Sequence, residues 1–545
     1  MKNPTNLSRI VLISAFFALF GLVGLPAHAA KPSEGAKRYL IQYQHGNAGA
    51  LKALITANGG TVVFDYSALI DGLAADLSAA GHRAVRRSGL ATSIEEDGIR
   101  TLHDLPPSFP ILPFDEFVGW GRDRVQADTV WSVTPNFGAA DNGIAEPNVR
   151  SGAVTGAGIV VGILDSGIDY GHPDLADNIL DLRADGEIRD FLDGDNDPTD
   201  TANNGHGSNV ASVIASVDNT IGLIGVAPGA EVSPYRICDE LCPLSAIIGG
   251  LVQAVADGVD VINMSFGGPA GFNLEASAVQ AANARGVVLV ASAGNEATQK
   301  PSFPAAYATV LAVGATDIDD NPADFTNVGG WVDVTGPGVA VPAATCQGCG
   351  RKAFLDERSP TPQSFDPVAM TGSAVADVLA EIVDVGRACD GDDLAADPSG
   401  KVALIVRGAC NFAEKVENAE EAGAVGTVVF NNAPGNFNGT LGDFLAAGPS
   451  VSISQEEGET LQGEIGGGTT TVNLIVVATD YELVDGTSFS GPHVAGVAAL
   501  VKSVDPSLSP IQVRKIITTT AEPLGPQVIF GSGMVRADAA VAAAQ

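Results

Sequence analysis

Breaking an acyl bond with a serine requires three side chains: a nucleophile, a base that takes its proton, and a carboxylate that orients the base. Histidine is the scarcest of these types, with 7 in the chain. His28, His45, His82 and His103 fall ahead of the main run of apolar strands, which leaves His172, His206 and His493 as candidate bases. His206 stands between glycines in Asn203-Asn204-Gly205-His206-Gly207-Ser208, so other groups can approach its ring closely. His493 shares a helical stretch with Ser488 but faces away from it, and it reads with His172 as a packing or local hydrogen-bonding residue. Asp165 closes the apolar run Ile159–Leu164, at the end of a strand where α/β sheets gather functional groups. Ser488 lies in Gly486-Thr487-Ser488-Phe489-Ser490-Gly491-Pro492-His493, at the start of a helix whose dipole favours developing negative charge. Taken singly, Asp165 and Ser488 would each serve as an ordinary helix cap. Together with His206 they can form a triad. A second stretch, Asp190–Asp200, crowds Asp193, Asp195 and Asp197 beside His206. These hard oxygen ligands suit Ca²⁺, although EF-hand spacing is missing and a solvated acidic turn is the alternative.

The elements that must hold these residues can be read from hydrophobic periodicity. Apolar strands at Ile159–Leu164, Val232–Arg236, Val259–Phe266 and Val287–Ala293 alternate with helices at His206–Ser216, Leu244–Ala256 and Leu274–Ala284. This alternation predicts a parallel sheet covered on both faces. After about Pro342 the pattern gives way to cysteines, acidic loops and short strands, and it returns with helices at Ser488–Lys502 and Pro510–Thr520. An inserted domain is expected between. Ahead of the sheet, Lys37–Asp97 predicts a small βαββαβ unit of the split ferredoxin-like kind. The Pro-rich stretch Leu105–Pro113 then reads as an exposed linker open to proteolysis.

The three candidate stretches resemble those of the subtilisin-like serine proteases, the subtilases. The order Asp165, His206, Ser488 is the one known for subtilisin. Asp165-Ser166-Gly167-Ile168-Asp169 resembles the family's aspartate motif closely. His206-Gly207-Ser208-Asn209-Val210-Ala211 resembles its histidine motif, with Asn209 replacing a second histidine. Gly486 to Gly496 resembles its serine motif, with Phe489-Ser490 in place of Met-Ala. The resemblance implies an oxyanion hole built from the Asn295 side chain and the Ser488 backbone N–H. It also implies a substrate cleft walled by Ser265, Phe266 and Gly267 on one side and Ala293 and Gly294 on the other, with Ser302 near the base of its pocket. Broad cleavage after apolar or aromatic residues is expected. A calcium loop is implied at Asp174 with Val217, Asn219, Ile221 and Leu223. Calcium would be structural, and catalysis would need no cofactor.

The implied fold class is α/β: a parallel-sheet subtilisin-like catalytic domain, an inserted β-rich protease-associated (PA) domain, and a ferredoxin-like α+β propeptide. The implied segments are a signal peptide at 1–29, an inhibitor-type propeptide at 31–104, a linker with the maturation site at 105–118, the peptidase domain at 119–344 and 476–545, and the PA insertion at 345–475. The insertion's resemblance rests on Gly400 to Cys410, Lys415-Val416-Glu417-Asn418-Ala419 and Ala422-Gly423-Ala424, and it implies substrate gating or protein binding.

The bulk composition agrees. A net charge of −35 disfavours nucleic-acid binding, which needs clustered Lys and Arg. Lys2 and Arg9, the apolar run Ile10–Leu25 and Ala27-His28-Ala29 read as a secretory signal, since the run falls short of the ~20 residues of a spanning helix. Export predicts disulfides among the 6 cysteines, with Cys238/Cys242, Cys346/Cys349 and Cys389/Cys410 as candidate pairs, although sequence alone leaves the connectivity open. A zinc site made from the two close pairs is the alternative. The expected product is a secreted, monomeric, self-processing zymogen that acts on protein or peptide substrates, is inhibited by its own propeptide, and has no membrane contact once the signal is removed. An α/β-hydrolase esterase is excluded by Ser490, where its motif needs glycine, and by the chain order. The alternative from another class is a catalytically silent homologue that binds proteins through the PA domain.

Overall fold

The computed structural model describes residue 32, residues 35–103, the backbone of 105–110, and residues 118–131, 153–200, 205–239, 241–437, 439, 441 and 444–545. The expected signal peptide lies outside the described residues. Among those described, no helix is long and apolar enough to cross a membrane.

Six parallel strands form the central sheet, in the order Val334–Pro337, Val310–Thr316, Val288–Ser292, Val261–Met264, Val160–Asp165, Glu231–Arg236. Their near-continuous apolar sequences are buried on both faces, as a helix-covered parallel sheet requires. Val161, Ile163 and Val290 face one core with the helices His206–Ala215 and Thr487–Val504. Leu164, Ile262 and Leu289 face a second core with Leu244–Asp257 and Asn273–Ala284. The chain leaves Val160–Asp165 for Glu231–Arg236 on one side, then crosses to Val261–Met264 on the other. That reversal opens a crevice at the carboxyl ends of the strands, where ligands bind in such sheets. The run Val259–Phe266 is not one strand. It stops at Met264, and Phe266–Gly267 turns away to join a separate three-stranded sheet.

The N-terminal unit is an antiparallel sheet in the order Thr61–Asp65, Gly72–Ser78, Ala36–Tyr43, Ala91–Glu96, with helices Ala48–Ala57 and Ala79–Ser88. It docks through two carboxylates. Glu95 accepts the N–H of Asn273 at 3.0 Å, and Asp97 accepts that of Ser245 at 2.9 Å, each at the start of a helix where backbone donors are otherwise unpaired.

The insertion is an eight-stranded mixed sheet with helices Phe412–Glu421 and Gln455–Gly467 and with cores of its own. The chain enters it after Val341–Ala344 and returns by Tyr481–Asp485, and these two strands pair with each other. Leu105–Pro110 was expected to be exposed linker, but its backbone is a third, antiparallel strand of this small sheet. Proline is compatible with such an edge position because no ladder donor is required there. The remainder of the expected linker, 111–117, lies outside the described residues. All three candidate cysteine pairs are joined, as Cys238–Cys242, Cys346–Cys349 and Cys389–Cys410. No thiolate of these six remains for zinc.

Candidate active site

Asp165 ends its strand fully buried, with Oδ1 2.6 Å from His206 Nδ1 and accepting the Ser166 N–H at 2.8 Å. His206 is the first residue of its helix, and the glycines around it are sterically required. A Cβ on Gly205 would lie 2.0 Å from Thr345 Oγ1, and one on Gly207 would lie 2.0 Å from the Gly167 carbonyl oxygen. Behind the pair lies buried Asp200, which accepts from the Ser208 hydroxyl at 2.9 Å and the Ser166 hydroxyl at 3.3 Å. Burial pushes its carboxyl up to about 7, with the Asp165 charge adding to the rise.

Ser488 occupies the second position of the helix Thr487–Val504, against the ring of His206 through its neighbour Phe489, whose centroid is 5.5 Å away. Its hydroxyl donates to the Ser265 carbonyl at 2.9 Å. Asn295 follows the sheet strand Val288–Ser292. Its Oδ1 accepts from both the N–H and the hydroxyl of Thr487, at 3.0 and 2.8 Å. These two donors fix the orientation of the amide, so the Nδ2 end points into the cleft.

The cleft is filled. The segment Ile99–Leu102 lies as an antiparallel strand between Phe266–Gly267 and Leu241–Pro243. The next residue, His103, donates its N–H to Ser265 O at 3.0 Å. Its carbonyl oxygen accepts from Asn295 Nδ2 at 2.8 Å and from the Ser488 N–H at 3.1 Å. Its side chain is buried, with Nδ1 2.8 Å from Ser292 Oγ. A Cβ on Gly267 would lie 2.4 Å from His103 Cε1 and 2.6 Å from Ser302 Oγ, so this glycine leaves the room the ring occupies. Burial, with His206 and Arg100 nearby, pushes the His103 imidazole down to about 3 and keeps it neutral at ordinary pH.

The structure therefore brings together Asp165, His206, Ser488, Asn295, Ser265, Phe266, Gly267 and Ser302. Ala293 and Gly294 follow Ser292 on the facing wall, where the Gly294 N–H is taken by Thr487 Oγ1 at 3.0 Å. Nothing in the sequence marks His103 or Ser292 as site residues: His103 falls in the expected propeptide, and Asp200 reads as the end of the acidic stretch beside His206 rather than as a partner of Ser166 and Ser208. No local motif marks His103, because its surroundings come entirely from distant parts of the chain. His172 and His493 are buried, and each bonds to a backbone oxygen, of Asp480 at 3.2 Å and Phe489 at 2.7 Å.

The sequence pattern of the Subtilase family matches residues 156–385, and that of the PA domain matches residues 334–461. Subtilisin BL of Lederbergia lenta is 37% identical over 226 residues, which cover 41% of this chain and 73% of that protein. The chain belongs to the subtilase family. M-protease of Shouchella clausii (strain KSM-K16) is 30% identical to this subtilase over 355 residues, 63% of this chain and 82% of that protein. Subtilisin NAT of Bacillus subtilis subsp. natto is 29% identical over 349 residues, 61% of this chain and 81% of that protein. This subtilase is a serine endopeptidase, a hydrolase, that carries an inserted PA domain.

Its two candidate calcium sites differ. Asp174 and the loop after the His206 helix do meet. Asp174 Oδ2 accepts the Leu223 N–H at 2.7 Å, and the Val217 N–H donates to the Asp174 carbonyl at 2.8 Å. Asn219 closes the same loop, accepting from the Ile221 N–H at 3.1 Å and donating to Pro173 O at 3.0 Å. Burial pushes the Asp174 carboxyl up to about 6. The other loop is organised by arginines instead. Asp193 pairs with Arg236 at 2.7 Å, Asp197 pairs with Arg183 at 3.3 Å, and Asp195 accepts the Asp197 N–H at 2.9 Å. Among the described residues, the one group of three His, Cys, Asp or Glu ligand atoms within 4.8 Å is Cys389, Cys410 and Glu414, and there the two sulfurs are in a disulfide.

Proposed function

We propose that this subtilase is a secreted endopeptidase made as a self-processing zymogen. Asp165, His206 and Ser488 act as its triad, and Asn295 Nδ2 and the Ser488 N–H form its oxyanion hole. The observation that carries this reading is the His103 carbonyl oxygen, held between these two donors at 2.8 and 3.1 Å. The chain thus presents one of its own peptide bonds to its own nucleophile, and the expected propeptide, ending at residue 103 rather than 104, takes the part of inhibitor. The junction then sits between His103 and Asp104, just ahead of the stretch 105–118 where sequence reasoning expected it.

In the ground state the single proton of the Ser488 hydroxyl is given to Ser265 O. Reaction begins when that proton is redirected to His206 Nε2. The Ser488 oxygen bonds to the His103 carbonyl carbon, and the carbonyl oxygen takes up negative charge between Asn295 Nδ2 and the Ser488 N–H. Asp165 holds Nδ1 and stabilises the imidazolium. As the tetrahedral species collapses, the carbon–nitrogen bond to residue 104 breaks and His206 gives its proton to the departing amine. Water, deprotonated by His206, then attacks the acyl carbon; the bond to the Ser488 oxygen breaks, His103 leaves as a carboxylate, and His206 gives its proton to Ser488. Ser292 and Ser302 beside the buried imidazole make the pocket more polar than the broad apolar or aromatic preference expected from sequence, and a compact, neutral, hydrogen-bonding side chain suits it. The three disulfides favour an oxidising compartment and so support export. The PA domain, folded around its own cores beside the peptidase domain, is assigned substrate gating or protein binding.

Two measurements test this. N-terminal sequencing of the secreted protein should find a chain beginning at Asp104, and an organophosphonate should label Ser488. A product that begins elsewhere overturns the junction alone. A protein that neither matures nor takes the label overturns the enzyme reading in favour of a silent binding homologue.

The residues at the first calcium candidate fit the ion. Asp174, the Asn219 side chain and the carbonyls of Val217, Ile221 and Leu223 would hold it, and its charge would tie the loop to Asp174. An ion that binds only the folded chain stabilises it by mass action. Chelation should therefore lower the melting midpoint of the Ser488→Ala protein, which cannot digest itself, and Asn219→Ala should diminish that response. An unchanged midpoint would mean that the loop closes by its own hydrogen bonds.

A further inference from the structure

Arg100 lies in the strand that fills the cleft, four residues ahead of the bond presented to Ser488 when His103 is counted as the first. Its side chain is 1% exposed, and so is that of Glu275, on which it rests. The two form a forked pair, Nε to Oε1 at 3.2 Å and Nη2 to Oε2 at 2.5 Å. The guanidinium carbon lies 5.3 Å from the centre of the Phe272 ring. Tyr307 donates its hydroxyl to Glu275 Oε2 at 2.7 Å, and its oxygen receives the Phe272 N–H at 3.0 Å. Glu275, Phe272 and Tyr307 all belong to the peptidase body, and they hold one another in place from that side. Opposite, a Cβ on Gly268 would come within 3.0 Å of Arg100 Nη1, so a bare backbone shapes that wall. When the strand departs, Glu275 loses both guanidinium donors and keeps the Tyr307 hydroxyl as its described side-chain donor.

We infer that Glu275 is the floor of a substrate subsite that selects arginine at the fourth position ahead of the cleaved bond. The proposal rests on the reading of Ile99–His103 as the chain's own substrate strand. A planar cation with forked donors matches a carboxylate bidentately and stacks on an aromatic ring, which lysine does less well. An apolar residue in the subsite would leave Glu275 desolvated and short of donors, and discrimination of this kind is steep because a buried charge then lacks its partner. The enzyme is thus directed to basic segments of extended protein substrates, with the arginine and the residue at the cut read by separate pockets.

The test uses the full chain, secreted and allowed to mature, with peptides of the sequence Ile-Xaa-Thr-Leu-His-Asp that carry a donor and quencher at their ends. Xaa is arginine, lysine, citrulline or leucine. Arginine should exceed leucine in kcat/KM by about 100-fold, with lysine between them, the range expected when one partner of a buried charge pair is removed. Citrulline keeps the shape without the charge and should fall near leucine. In a Glu275→Gln chain the arginine-to-leucine ratio should collapse to less than about tenfold. Equal rates for arginine and leucine with the native chain would overturn the subsite and make the Arg100–Glu275 pair a docking contact only. That comparison needs no mutant and so survives a Glu275→Gln chain that does not fold. A chain that cuts no peptide and takes no organophosphonate would overturn the protease reading, and the subsite with it, whereas labelling with indifferent cleavage would overturn the subsite alone.

Discussion

A Ser488→Ala chain should be secreted with residues 35–103 still attached. It should hydrolyse peptides roughly 10⁶-fold more slowly than the native enzyme, the loss known from subtilisin itself when its serine is removed. Both effects follow from one oxygen, because the bond presented for processing and the bond of any later substrate meet the same nucleophile. The fold should tolerate the change. Alanine is the best helix former, and the hydroxyl's bond in the ground state is to Ser265 O, which keeps the His103 N–H at 3.0 Å. Gel mobility of the secreted product, its N-terminal sequence and its melting midpoint check the three parts separately. Maturation of the purified Ser488→Ala chain at residue 104, with no other protease present, would end the self-processing proposal.

Asn295→Ala should reduce kcat by about 10²–10³-fold with little change in KM, again the magnitude known from subtilisin, where the corresponding asparagine is the standard example. One complication is visible in the structure. The same amide accepts two hydrogen bonds from Thr487, at the head of the nucleophile helix, so truncation also unpairs a backbone donor, at a cost of about 1–3 kcal/mol. Asn295→Asp separates the two roles. It keeps the acceptor for Thr487 but replaces the donor to the oxyanion with a negative charge, so it should be at least as slow as the alanine variant while melting closer to the native enzyme. An Asn295→Asp enzyme of near-normal kcat would mean that the oxyanion is stabilised elsewhere.

The parts of the site that were legible in sequence share one property: each sits in a short motif whose neighbours explain it. Asp165 ends a continuous apolar strand, His206 lies between glycines that cannot be anything larger, and Ser488 heads a long apolar helix. Asn295 was legible only through family resemblance. The strand that fills the cleft escaped because Ile99–Leu102 has too few residues to show periodicity, and its partners, Phe266–Gly267 and Leu241–Pro243, are shorter still. Its conformation is imposed by edges contributed from far along the chain. Leu105–Pro110 misled for a related reason. Its three prolines mark turns in most contexts, but an edge strand asks few donors of the backbone. The acidic loop beside His206 looked like a metal site because composition shows the carboxylates and not their partners, and Arg236, which gathers Asp190, Asp193 and Asp239, comes from a strand of the central sheet.

The placement of the insertion, between Val341–Ala344 and Tyr481–Asp485, has a consequence in time. About 320 residues separate Asp165 from Ser488, and at about 5–20 residues per second a ribosome needs roughly 15–65 s to cross them. Once His206 is made, early in that interval, both it and Asp165 exist, but the proposed nucleophile and the helix that carries it do not. The strand Ile99–Leu102 is older than any wall of the cleft it occupies. The order of synthesis therefore delivers the strand Ile99–Leu102 first, the cleft next and the proposed nucleophile Ser488 last, and the PA domain lengthens the interval between them.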